Sequence, residues 1–125
     1  MRTLGIHHVA IQVHDVEKVA AFYRDVLELP ERARHFRDDG SLRSIWIEAS
    51  QDGSFLAIEE LRPGTRGTLG HSLVALRIPR SDRAAWLTHL SKHGVPIEKQ
   101  SRWTVYIKDP EGNVIGLSHH PHDPL

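Results

Sequence analysis

From Ile6 to Val13 the chain alternates, with Val9, Ile11 and Val13 turned one way and Ile6, His8, Ala10 and Gln12 the other. That period of two predicts a strand with one buried face and one mixed face. Asp15 then offers an N-cap, and Val16, Val19, Ala20, Tyr23, Val26 and Leu27 recur at three-four spacing, predicting an amphipathic helix that Pro30 ends. Leu42–Ala49 and Ser54–Leu61 flank Ser50-Gln51-Asp52-Gly53, and the Asp-Gly pair makes the two runs a β-hairpin. On its second strand Phe55, Ala57 and Glu59 share one face. The segment 62–70, rich in Gly and turn residues, reads as a short link.

The same order then recurs. His71–Ile78 alternates, Ser81 or Asp82 caps a helix over Arg83–Lys92, and Gly94 stands where a left-handed C-terminal residue belongs. Trp103–Lys108 is a further strand, Asp109-Pro110-Glu111-Gly112-Asn113 a turn, and Val114–His119 the closing strand. Val74-Ala75-Leu76-Arg77-Ile78 repeats Val9-Ala10-Ile11-Gln12-Val13 with an offset of 65 residues (74 − 9), so the chain is a tandem duplication. With weaker strands near 32–37 and 95–100, each half reads β-α-β-β-β, an α+β arrangement with helices on one face of a largely antiparallel sheet.

At 125 residues the two halves, about 4–62 and 70–120, are expected to form one domain. Sixteen basic and sixteen acidic side chains balance to zero and are scattered, which argues against a nucleic-acid partner. No apolar run approaches the ~20 residues of a membrane span, and no signal-like segment opens the chain, so a cytoplasmic protein with no membrane partner is expected. The absence of cysteine excludes disulfides, thiolate metal sites and cysteine nucleophiles. Gly64, Gly67 and Gly70 lack the Lys-Ser/Thr of a phosphate-binding loop. His119-His120-Pro121-His122 falls in a Pro-rich terminal stretch expected to be mobile.

Three segments in this order, His8-Val9-Ala10-Ile11-Gln12-Val13, Asp15 with Ala21-Phe22-Tyr23-Arg24-Asp25-Val26-Leu27-Glu28-Leu29, and Asp109-Pro110-Glu111-Gly112-Asn113-Val114-Ile115, give a resemblance to the vicinal oxygen chelate superfamily. That group includes glyoxalase I, bleomycin-resistance proteins, fosfomycin-resistance proteins and extradiol dioxygenases. The resemblance implies two tandem βαβββ modules curling their sheets around a cleft, and a homodimer in which a second chain completes it. In metal-using relatives the cleft holds one divalent ion between two histidines and two glutamates. His8 matches the first ligand and Glu59 the second, with Glu59 also a candidate catalytic base. His71 lies two residues upstream of Leu73, the repeat position of His8, and Gly116 stands where the last glutamate would be.

Two function classes follow. One is a metal-assisted enzyme of the glyoxalase or dioxygenase type, with zinc, nickel, manganese or iron on His8, Glu59 and His71 acting as a Lewis acid on an oxygen-bearing substrate. The other is a metal-free protein of the bleomycin-resistance type that binds an antibiotic or aromatic small molecule. In either, Trp46, Phe55, Trp103 and Tyr106 would supply apolar walls, and Gln12 and Arg77, at equivalent strand positions, would meet polar groups such as a carboxylate.

Overall fold

The computed structural model describes residues 1–61 and 73–122. The expected link at 62–70 and the candidate ligand His71 lie outside these residues. The chain divides into two compact units, Met1–Thr68 and Leu69–Leu125, each built on one four-stranded mixed sheet. This is the α+β arrangement of two tandem modules that the duplication predicts.

In the first unit the strands are β1 (His8–Val13), β2 (Glu31–Phe36), β3 (Leu42–Glu48) and β4 (Phe55–Glu60), ordered β1-β4-β3-β2. β1 runs parallel to β4, and the other neighbours are antiparallel. Helix α1 (Val16–Ala21) starts as predicted, the Asp15 carboxylate accepting from Lys18 N at 3.1 Å. The helix does not continue as α. Phe22–Val26 is a π-helical turn, closed by Leu27 N donating to Phe22 O at 3.2 Å. The extra residue rotates the apolar stripe, so adjacent Phe22 and Tyr23 are both buried and Val26 is only half-buried. Val13, Val19, Tyr23, Ile45, Ile47, Leu56 and Ile58 form the core on the helix side.

The second unit repeats the order as β5 (Leu73–Arg77), α2 (Arg83–Lys92), β6 (Lys99–Gln100), β7 (Thr104–Lys108) and β8 (Val114–Ser118), with sheet order β5-β8-β7-β6. A 3₁₀ turn over Arg80–Asp82 leads into α2, so Asp82 makes no side-chain cap there. Gly94 takes φ +68°, the left-handed end expected of it. The Asp109 turn is tied from within: its buried carboxylate accepts from Glu111 N, Asn113 N and Asn113 Nδ2 at 2.8–3.0 Å. His119 is packed rather than loose, contrary to a mobile-tail expectation. It is 2% exposed, its Nε2 meets Arg83 NH1 at 3.1 Å, and its Nδ1 lies 2.8 Å from His122 O. Because a guanidinium only donates, Nε2 must be the acceptor and Nδ1 the donor. Among the described residues no helix is long and apolar enough to cross a membrane.

Candidate functional site

Each sheet has one face turned away from its helix, and the strand registers place the candidate residues there in rows. On the first sheet the rows read His8–Phe55–Glu48, then Ala10–Ala57–Trp46–Ala33, then Gln12–Glu59–Ser44–His35. On the second they read Leu73–Val114–Lys108, then Ala75–Gly116–Tyr106–Lys99, then Arg77–Ser118–Thr104. The two grids correspond position by position, with Leu73 the counterpart of His8 and Arg77 of Gln12.

This correspondence makes Ala57 the counterpart of Gly116, and makes Glu59 the counterpart of Ser118. Both sheets therefore carry a residue without a ligating side chain at the same register. Glu59 pairs with Gln12, four residues along β1 from His8, which is about 13 Å of strand. An ion with bonds of about 2.0–2.2 Å to histidine and carboxylate is not spanned by that pair. Among the described residues no group of three or more His, Asp or Glu side chains is gathered to hold a metal. A divalent ion does not fit the donor set that His8 and Glu59 provide.

What the first sheet does assemble is a stack of rings. Trp46 lies on Phe55 at 4.2 Å and 25°, and Phe55 lies on His8 at 5.0 Å and 8°. The cross-strand pairing of His8 with Phe55 and the diagonal from Phe55 to Trp46 bring the rings together. His7 sets its edge against both His8 and Phe55, and the two histidine Nδ1 atoms are 2.9 Å apart. Arg32 lies over Phe55 at 4.8 Å while donating to Gly53 O and pairing with Glu48. Phe55 is thus enclosed, 3% exposed, and offers no face of its own, whereas His8 at the end of the stack is exposed. At the other end His35 tilts against Trp46 at 4.4 Å. Gln12 and Glu59 are half-buried, and Glu59 makes no ion pair with the described residues.

The other sequence candidates divide between faces. Tyr106 shares the open face of the second sheet, with Lys99 over its ring at 4.9 Å, and Arg77 is exposed at the end of β5. Trp103 precedes β7 in the phase of Val105 and Ile107, on the helix side, its ring 5.1 Å from His120. The structure does not bring it to Tyr106's face. Strand phase puts His7 on the helix side as a structural residue, whereas its ring sets against His8 and Phe55; sequence reading passed over His35, Ser118 and Thr104. The period-two phase of each strand carried the signal for the last three, but only the register says which residues are neighbours.

A family model described as Glyoxalase/Bleomycin resistance protein/Dioxygenase superfamily matches residues 5–117, and the chain belongs to that superfamily. Its fold is shared with solved members of differing description. Lactoylglutathione lyase from Agrobacterium tumefaciens superposes with a TM-score of 0.75 at 21% identity, covering 96% of each chain. TnmS3, an antibiotic binding protein from a Streptomyces species, gives 0.75 at 24%, covering 95% of this chain and 98% of that one. The fosfomycin resistance protein FosX from Listeria monocytogenes gives 0.76 at 16%, covering 97% and 94%. At these identities the likeness establishes fold, and the chemistry rests on this chain's own residues.

Proposed function

We propose that this protein is a metal-free binding protein of the bleomycin-resistance type, which takes up a flat, positively charged ring system on the open face of its first sheet. The observation that carries the reading is the ring stack Trp46–Phe55–His8, which ends in an exposed imidazole. A ligand ring is the natural next member, since offset stacking contributes about 0.5–1.5 kcal/mol beyond the area buried. Ala10, exposed beside His8, leaves room along β1, and the strip ends at Gln12 and Glu59. The Glu59 carboxylate supplies the pairing charge for a cationic ligand. An antibiotic binding protein of the same fold, TnmS3, is consistent with this class of function.

A metal-assisted enzyme is the second reading, favoured by the exposed position of His8 at the mouth of β1. FosX from Listeria monocytogenes has been solved with Mn(II). In this chain such a site would use His8 with ligands beyond the described residues, His71 among them. The binding reading is preferred because both carboxylate registers carry Ala57 and Gly116.

We also propose a homodimer, with a second chain completing the site. β1 forms an edge of its sheet, and Ile6 just before it and Val9 within it are 74% and 36% exposed. The binding claim is tested with quinacrine, a tricyclic ring with a cationic tail, titrated in the presence of EDTA. The proposal expects saturable quenching that weakens in Glu59→Gln; no binding without added metal would refute it.

A further inference from the structure

The open face of the second sheet has a character of its own. Its last row is Arg77–Ser118–Thr104, and its middle row is Ala75–Gly116–Tyr106–Lys99. Where the first sheet carries Gln12, Glu59 and Glu48, this one carries Arg77, Ser118 and Lys108, so its charge is positive. Arg77 is exposed and makes no ion pair with the described residues. Lys108, by contrast, approaches Glu98 at 4.0 Å, and Lys99 rests on Tyr106.

Ser118, the cross-strand partner of Arg77, has its acceptor capacity filled. Thr104 Oγ1 donates to Ser118 Oγ at 2.8 Å, and His120 N donates to it at 3.3 Å. A hydroxyl has two lone pairs and one hydrogen, so these contacts leave Ser118 with a hydrogen to give. Thr104, 8% exposed, holds that orientation from the neighbouring strand. A forked guanidinium and a hydroxyl obliged to donate then stand side by side, and two such donors match the two oxygens of a carboxylate. Beside them the exposed Ala75 presents only a methyl group, the Thr104 methyl covers Gly116, and Tyr106 bounds the space, so a ring attached to the carboxylate meets a low apolar floor and one aromatic wall.

We infer that the Arg77–Ser118 pair on the second sheet is a clamp for an aromatic carboxylate. The clamp does not depend on the proposed binding of a cationic ring, because it uses none of the same residues. Benzoate is the probe, followed by amide chemical shifts of the ¹⁵N-labelled full chain. Binding with a dissociation constant on the order of 1 mM is expected for so small a ligand. Shifts should concentrate at residues 75–77, 106 and 116–118. Arg77→Lys, which keeps the charge and loses the fork, should weaken binding several-fold, Arg77→Met should abolish it, and Ser118→Ala should weaken it while leaving the spectrum folded. Cyclohexylamine, a ring bearing a cation, should leave these residues unmoved. Equal binding by wild type and Arg77→Met, or shifts from cyclohexylamine matching those from benzoate, would overturn the clamp. Inorganic phosphate binding as tightly as benzoate would overturn the aromatic part of the assignment.

Discussion

Gly116 carries no side chain because Thr104 occupies the space one would need: a Cβ there would meet Thr104 Cγ2 at 3.0 Å and Ala75 Cβ at 3.5 Å. The position is not an open vacancy awaiting a carboxylate. Gly116→Ala should therefore destabilise the fold by about 1–3 kcal/mol, the usual cost of overpacking. Thr104→Ser removes the obstructing methyl and keeps the hydroxyl bonded to Ser118, so in that background the same substitution should cost clearly less. Urea unfolding of the four proteins measures the coupling, and additive effects would contradict the contact. Glu28 is a second residue under local strain, a non-glycine at φ +58° where the helix ends. Glu28→Gly should stabilise by up to about 1 kcal/mol, the left-handed penalty outweighing the flexibility gained by the unfolded chain. A lower melting temperature would argue that the Glu28 side chain contributes more than its backbone costs.

At the scale of elements, the joint between the helix and β2 is a charge network. Arg34 forks onto Glu31 and Glu17 at 2.8–2.9 Å, and Arg24 reaches Glu31 at 3.1 Å. Hydrogen bonds from Arg34, reinforced by Arg24 and opposed by partial burial, hold the Glu31 carboxyl below its ordinary value of 4.5. A carboxylate with a lowered folded-state pKa contributes stability that is present above the unfolded value. That contribution is lost as pH falls through the lowered one. Unfolding free energy should thus decline below about pH 4.5, and Arg34→Met should be less stable at neutral pH with a shallower acid decline. Parallel acid profiles for the two proteins would contradict this role.

The elements themselves were largely legible in the sequence. Alternation found the long strands, Asp15 announced the first helix, and Gly94 the left-handed end of the second. The π turn was not legible, because Phe22–Val26 has the composition of an α-helix and differs only in which carbonyl each amide reaches. Nor was the pairing. Aligning Glu59 with a ligand position depended on a register that strand phase leaves free by any even number of residues, and Ala57 and Glu59 share a phase. The register of β1 with β4, compared with β5 and β8, fixes Ala57 as the counterpart of Gly116.

For the whole molecule, the edge position of β1 and the exposed Val9 within it, with Leu4 and Ile6 just before it, predict self-association. Light scattering should return twice the 14.2 kDa chain mass, and Val9→Lys should shift it toward the monomer. A monomer at micromolar concentration would contradict the dimer. The central claim, that His8 serves by stacking rather than by ligating a metal, is tested most directly by the affinity of His8→Phe for quinacrine in EDTA, set against wild type and His8→Ala. Phenylalanine keeps the ring on Phe55 and removes both nitrogens. His8→Phe should bind within a few-fold of wild type while His8→Ala loses most of the affinity. His8→Phe losing binding as completely as His8→Ala would contradict it.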